Sequence, residues 1–384
     1  MKTGMDVLRG RRFDELRTKR VGLLSHQAAL TADGATSAQL LRRFLDKRFV
    51  ALYGPEHGFF GQSGAGEHTY TRRHPDWGIP VYSLYGERRK PVREMLEGVD
   101  AVVCDLQDLG VRCYTYLATL RNMLEACTET GTEVIVTDRP IPLPQVVDGP
   151  MPEPDLMSFV APCPVPLVYG MTPAESACWM KAALFPELHL TVVPMEGWRR
   201  TDGAWDGSRP AFMPPSPGIK TWESAMTYAA TVFAEALPGI DCGRGTNLAF
   251  RVLGAPWLHA EHLCDRLKQA RPAGVTFFPY RYVAATGEYA GRELDGVRLT
   301  VVDPKRFRPA ETSLTVLRTL AEQYGDKRIW HHKGVHPRWF DTLYGTARAR
   351  SFVRSEEPLK NLFATWARER RAFTAARASA LLYT

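Results

Sequence analysis

The sequence lacks long apolar runs, and this absence limits the classes of protein to which it can belong. No run approaches the ~20 apolar residues that a helix needs to span a bilayer. The N-terminal stretch MKTGMDVLRGRRFDEL has neither the apolar core nor the small-residue cleavage site of a signal peptide. We therefore expect a cytoplasmic protein that has no membrane partner.

Cysteine is sparse and irregularly spaced. Seven cysteines, an odd number, are scattered without CxxC or CxxxH spacing, which argues against a disulfide framework and a structural zinc site. The HExxH motif is absent, and the uneven spacing of His57, His68 and His74 gives no ready-made chelate. We expect no metal ion and no other cofactor.

Motifs for nucleotide binding and for a serine nucleophile are also missing. The sequence contains neither GxGxxG nor GxxxxGK[ST], so we expect no nucleotide site. It also lacks the GxSxG motif of serine hydrolases. The net charge of +7 is modest, and Lys and Arg are spread along the chain. This distribution argues against a nucleic-acid partner and allows an anionic small-molecule substrate.

Alternating apolar runs and amphipathic helices predict the fold class. The runs typical of buried strands lie at 19–25, 49–53, 101–104, 133–137 and 190–193. Such alternation favours an α/β fold with a doubly wound, mostly parallel sheet. A chain of 384 residues is expected to form two domains. We assign residues 1–200 to the α/β domain and residues 201–384, where the patterns mix, to a smaller α+β domain.

The stretch DAVVCDLQDLGVRCYTY, at 100–116, places polar side chains directly after one of these strands. In open α/β sheets, ligands bind where strands end and loops lead into helices. The cluster is therefore a candidate site, and its members are Asp105, Gln107, Asp108, Tyr114 and Tyr116. Alternatively, the two aspartates cap the next helix, Arg112 pairs with one of them, and the tyrosines pack.

Further charged residues follow the neighbouring strands. Glu56 lies beside His57 in the glycine-rich loop GPEHGFFGQSGAGE, where a carboxylate has no obvious structural use. Asp138 and Arg139 follow the apolar run EVIVT. Glu175 lies three residues after a threonine in TPAE, which is the spacing of a capping box. A structural role is therefore the alternative for Glu175.

Acids and aromatic side chains in one cleft suit glycoside hydrolysis. One carboxyl group protonates the leaving oxygen, while a second group activates water or stabilises the oxocarbenium-like charge. We expect Glu56 to be the general acid, with Asp105 and Glu175 as further catalytic candidates.

Several blocks of the sequence resemble the exo-acting β-N-acetylmuramidases of bacterial peptidoglycan recycling. They are LYGPEHGFFGQ, IPVYSLYG, DAVVCDLQDLGVRCYTYLATL, VIVTDRPIP, GMTPAE, PPSP and GRGT. The resemblance implies a Rossmann-like domain with a smaller domain that closes the active cleft. It also implies cofactor-free release of terminal N-acetylmuramic acid from the non-reducing end of a small carbohydrate or muropeptide. The glutamate of the family's PEHG block maps onto Glu56, and the last two blocks add Ser216 and Arg244 as binding residues.

The implied substrate carries a lactyl carboxylate. This group requires a cation, because an unpaired buried carboxylate is costly. Arg139 is the first candidate and Arg244 is the second, by the bidentate geometry that guanidinium offers. The alternative for Arg139 is an ion pair with Asp138 or Asp105 that only holds the loop.

The chain departs from the family's pattern at strand ends, where polar side chains would form hydrogen bonds with the sugar. The family carries Asn at three of these positions and His at the other, where this chain has His26, Ile141, Gly218 and Tyr169. The family also carries a glutamate before GRGT, where this chain has Glu235 one place out of register. Each lost contact costs roughly 0.5–1.5 kcal/mol. A second hypothesis is therefore a catalytically reduced paralogue that binds cell-wall sugars or partners an active homologue.

Overall fold

The computed structural model describes residues 1–202 and 212–384. Within them, one sheet contains the strands β1 (Val21–Ser25), β2 (Phe49–Gly54), β3 (Arg72–Arg73), β4 (Pro80–Ser83), β5 (Ala101–Asp105), β6 (Glu133–Thr137) and β7 (Leu190–Val193). Their order is β3-β4-β2-β1-β5-β6-β7. Every neighbouring pair is parallel except β3 with β4 at the edge. The predicted α/β fold with a mostly parallel sheet is confirmed.

Helices cover both faces of this sheet. They are α1 (Gly4–Gly10), α2 (Ser37–Leu45), α3 (Arg93–Leu96), α4 (Tyr116–Thr130) and α5 (Pro173–Ala183). Leu23 and Val103 pack with α1 and α2 on one face, whereas Leu24 and Val102 pack with α4 and α5 on the other. β1 and β5 are apolar up to their last residues, Ser25 and Asp105, because neither face of these strands meets water.

The C-terminal half forms the smaller α+β domain that the sequence indicates. Its antiparallel sheet, in the order β8-β10-β9, contains β8 (Val252–Ala255), β9 (Val275–Val283) and β10 (Glu293–Val301). Its helices are α6 (Trp222–Thr231), α7 (Ala260–Ala270), α8 (Pro309–Tyr324), α9 (Asp326–Trp330), α10 (Pro337–Tyr344), α11 (Arg348–Arg354) and α12 (Leu359–Ala376). The boundary between residues 200 and 201 stays a prediction.

The C-terminal tail, residues 381–384, returns to the larger sheet. The Tyr383 hydroxyl donates a hydrogen bond of 2.5 Å to the Asp138 carboxylate after β6. The Leu382 backbone N–H donates to Glu175 in α5 at 3.0 Å. The end of the second domain is thereby anchored on the first.

Candidate active site

The carboxyl ends of β2, β1, β5 and β6 lie side by side, because these strands are parallel neighbours. Glu56 follows β2, Asp105 ends β5, and Asp138 follows β6. The structure thus places these three acids at one edge of the sheet, which is where ligands bind in open α/β folds.

A cavity of ≈ 490 Å³ lies where the two domains meet. Glu56 lies on its wall together with four other expected site residues, which are His57, Tyr114, Ser216 and Arg244. Aromatic side chains make up much of the remaining wall, and they are Tyr85, Tyr228, Phe250 and Trp339. A space of this size with aromatic walls and a few polar groups is typical of a small-molecule site.

Two hydrogen bonds orient the Glu56 carboxylate. The Thr115 hydroxyl donates to Oε2 at 2.7 Å, and the Gly66 backbone N–H donates to Oε1 at 2.9 Å. Thr115 precedes α4 but makes no side-chain cap bond to that helix, so its hydroxyl is available to Glu56. Burial and the neighbouring Glu56 charge raise the pKa of Tyr85 to about 12. The Glu56 carboxyl is therefore fixed in the cavity beside a neutral phenol.

The loop that carries Glu56 turns sharply after it. His57 adopts a left-handed φ of 71°, which is uncommon for a residue other than glycine. Its Nδ1 lies 3.0 Å from the carbonyl oxygen of Ser63, which can only accept. Nδ1 therefore carries a proton, and Nε2 is left to contact a ligand.

A second carboxylate, Glu235, lies on the same cavity wall. It follows α6 in a short 3₁₀ turn and forms an ion pair with Arg244. Burial raises the pKa of Glu235, Arg244 opposes that shift, and the Glu56 charge adds to it. Glu235 is absent from the site residues predicted above. The available signal is its position as the one acid in the apolar run TVFAEALPGI.

Arg139 and Asp105 form a buried ion pair. The guanidinium donates from Nε to Oδ1 at 2.5 Å and from Nη2 to Oδ2 at 3.0 Å. The Ser37 hydroxyl also donates to Asp105. Asp105 is fully buried, Arg139 is 2% exposed, and neither lines the cavity. The alternative that Arg139 pairs with Asp105 is thus observed, and the pair holds the loop after β6 against β5.

Asp138 and Glu175 hold the start of α5. Asp138 accepts hydrogen bonds from the Thr172 hydroxyl at 2.7 Å and the Ala174 N–H at 2.9 Å. Glu175 completes a capping box with Thr172 and pairs with Arg200. Both carboxylates are fully buried and neither lines the cavity. Their contacts explain them as structural groups, which is the alternative that the capping-box spacing offers for Glu175.

The polar residues after β5 are buried, and most of them bond to other parts of the protein. Gln107 donates to the Pro140 carbonyl at 2.7 Å, and Tyr116 donates to the Pro215 carbonyl at 2.7 Å. Asp108 accepts from the Tyr169 hydroxyl, and burial raises the pKa of Asp108 to about 6. These three side chains are held by protein contacts and do not line the cavity, whereas Tyr114 lies on its wall.

His26 is a buried histidine that contacts Gln107 and Tyr116. The Gln107 backbone N–H donates to its Nε2 at 2.9 Å, so the proton of the neutral ring is on Nδ1. Its ring packs edge-on against Tyr116 with 4.9 Å between the ring centroids. Burial, together with the charges of Arg139 and His57, lowers the pKa of His26 to about 3. The ring is therefore neutral at physiological pH.

Residues 1–202 and 212–384 contain neither a cluster of metal-binding side chains nor a helix that could cross a membrane. That part of the chain has no group of three or more His, Cys, Asp or Glu side chains arranged to hold a metal ion. None of its helices combines the length and the apolar character that crossing a bilayer requires.

The sequence matches models of a known enzyme family over nearly its whole length. The model for the N-terminal part of the exo-β-N-acetylmuramidase NamZ matches residues 21–223, and the C-terminal model matches residues 226–383. The chain belongs to this family. It is therefore a glycoside hydrolase, and the resemblance seen in its sequence is confirmed.

Individual relatives agree with this assignment. The chain is 34% identical to the peptidoglycan β-N-acetylmuramidase NamZ of Bacillus subtilis (strain 168), over 100% of its own length and 91% of the relative. A crystal structure of a DUF1343 family protein from Bacteroides fragilis NCTC 9343 is 30% identical, with a TM-score of 0.89 and coverage of 100% and 99%. A second such protein from that organism, at 24% identity and a TM-score of 0.77, shares the fold.

Proposed function

We propose that this protein releases terminal N-acetylmuramic acid, or a related amino sugar, from the non-reducing end of peptidoglycan fragments. The observation that carries the proposal is the position of Glu56 on the cavity wall, with Glu235 on the same wall. Membership of the NamZ family and the β-N-acetylmuramidase activity named for the Bacillus subtilis relative support this substrate class.

In this proposal Glu56 is the general acid. Its proton passes to the glycosidic oxygen as the bond from that oxygen to the anomeric carbon breaks. Water then adds to the anomeric carbon and releases a proton, and the Glu56 carboxylate takes up a proton again before the next turnover. The hydrogen bonds from Thr115 and Gly66 hold the carboxyl group in one orientation. A fixed donor lowers the barrier because no reorganisation is needed when the proton moves.

Glu235 is the second carboxylate of the reaction. Its negative charge stabilises the positive charge that develops at the anomeric centre in the oxocarbenium-like transition state. Arg244 pairs with it and favours its ionised form. Tyr114, Tyr228 and Trp339 supply aromatic surfaces that suit the faces of a sugar ring.

Asp105 and Glu175 are positioning residues in this proposal. Asp105 is held by Arg139, and Glu175 by Arg200 and the α5 cap. Because both are fully buried and neither lines the cavity, they act on the site through the loops that they hold.

The leaving group of the substrate distinguishes the roles of Glu56 and Glu235. Glu56→Gln should lower kcat by at least ~10²-fold on a β-N-acetylmuraminide with a poor leaving group, and far less on a 2,4-dinitrophenyl glycoside, which needs no protonation. Glu235→Gln should slow both substrates. The control is Glu67→Gln, which changes an exposed acid of the same loop whose partner is the Gly64 N–H. If instead Glu235→Gln slowed only the substrate with the poor leaving group and Glu56→Gln slowed both substrates, Glu235 would be the proton donor.

A further inference from the structure

Arg89 lies beside the cavity, on two aromatic side chains, one of which, Tyr85, is part of the cavity wall. Its guanidinium carbon is 4.5 Å from the centroid of the Phe159 ring and 5.6 Å from that of Tyr85. The two rings are themselves in contact, with centroids 5.9 Å apart, and Tyr85 is part of the cavity wall. Stacking of this kind holds a guanidinium in place while its N–H groups remain able to donate.

The charge of Arg89 has no carboxylate partner within residues 1–202 and 212–384. Its side chain is exposed and forms no ion pair there. The next residue, Lys90, is different, because it pairs with Glu125 and Glu129 on α4. Arg89 is thus a fixed cation whose charge is available to a ligand.

The charged groups of the cavity wall leave an anionic ligand without a free cation. Among the residues that the structure describes, the acidic and guanidinium side chains of this wall are Glu56, Glu235 and Arg244. Arg244 is already committed to Glu235. An anionic ligand therefore gains no free cation from these three groups, and a desolvated carboxylate without a partner is costly.

We propose that Arg89 binds the carboxylate of the substrate beside the cavity and so selects anionic sugars. The inference rests on the proposed function and names the residue that recognises the charge. Guanidinium donates two parallel hydrogen bonds to a carboxylate, which gives both strength and orientation. The carboxylate comes either from the lactyl group itself or from an acidic stem peptide attached to it.

Equilibrium binding tests the proposal without depending on turnover. Calorimetric titrations compare N-acetylmuramic acid with its lactamide, which has the same shape and no charge. If the lactyl group supplies the carboxylate, the wild type should prefer the acid, and Arg89→Gln should weaken acid binding roughly tenfold or more while it changes amide binding less than twofold. Arg89→Lys should keep part of the preference. The matched control, Arg88→Gln, removes an adjacent exposed charge that has no ring contact with Tyr85 or Phe159.

A muramyl dipeptide, in which the lactyl carboxylate is an amide and the charge lies on the peptide, identifies the source. If Arg89→Gln weakens the binding of the acid, the carboxylate that Arg89 binds is that of the lactyl group. If it weakens only the binding of the dipeptide, the carboxylate is that of the stem peptide. Both outcomes support the proposal. The proposal would be overturned if Arg89→Gln weakened the binding of charged and neutral ligands equally, or if it weakened the binding of no ligand. It would also be overturned if Arg88→Gln had the same effect on binding as Arg89→Gln. A protein that binds with this selectivity but hydrolyses no muraminide would contradict the proposed function alone.

Discussion

Replacing His26 by asparagine should change how the stability of the protein depends on pH. The ring is fully buried, and its pKa falls from 6.5 to about 3 in the folded protein. Below pH 6.5 the unfolded chain takes up a proton at this position and the folded chain does not. Stability from this residue is therefore present above pH 6.5 and is lost as the pH falls towards 3.

The size of the effect follows from the two pKa values. Each pH unit below 6.5 costs about 1.36 kcal/mol, so His26 alone removes ~2 kcal/mol between pH 7 and pH 5. In His26→Asn the amide oxygen can still accept from the Gln107 N–H, while the contact of the ring with Tyr116 is lost. The loss of this contact lowers stability by the same amount at every pH. The difference between two pH values therefore measures only the contribution of His26 protonation to the unfolding free energy.

Urea unfolding of both proteins at pH 7 and pH 5, at constant ionic strength, measures this difference. The gap in unfolding free energy between wild type and His26→Asn should shift by ~2 kcal/mol in favour of the variant at pH 5. The control is His189→Asn, which replaces an exposed histidine. A gap that changes by less than ~0.5 kcal/mol would show that the folded protein protonates His26, against the reasoning given above.

Two further predictions concern groups that hold the sheet edge. Arg139→Met should lower the unfolding free energy by roughly 3–5 kcal/mol, because Asp105 is then buried without its partner. The control is Lys2→Met, which breaks the exposed ion pair with Glu196 and should lower the unfolding free energy far less. Equal decreases for the two variants in chemical unfolding would contradict this prediction. Tyr383→Phe removes the donor to Asp138 and the acceptor of the Met195 N–H, so it should cost roughly 1–3 kcal/mol. Unchanged thermal unfolding of this variant would show that the tail does not anchor the domains.

The strands of the larger sheet could be predicted from the sequence because their cause is local. The strand predicted at 133–137 is β6, and the one predicted at 190–193 is β7. The capping box at the start of α5 is also local, since Thr172 and Glu175 are three residues apart. Because the carboxyl ends of parallel strands lie at the same edge of a sheet, the acids that follow these strands could also be predicted to lie at one edge.

Which acid reaches the cavity depends on contacts between distant segments. Asp105 and Arg139 are 34 residues apart, and their pairing follows from the adjacency of β5 and β6. Asp138 meets Tyr383 from the opposite end of the chain. Glu235 joins the cavity only because the second domain packs over the first. A sequence pattern records that these residues are polar, but the packing of the two domains determines their partners.

The proposed reaction removes N-acetylmuramic acid from the non-reducing end of a peptidoglycan fragment. The most direct measurement is product analysis by mass spectrometry after the wild type and Glu56→Gln are incubated with the disaccharide MurNAc-GlcNAc and with its reverse, GlcNAc-MurNAc. We expect the wild type to cleave only MurNAc-GlcNAc into its two monosaccharides, with Glu56→Gln at least ~10²-fold slower. Cleavage of the reverse disaccharide at a similar rate, or wild-type and variant rates that agree, would contradict the proposal.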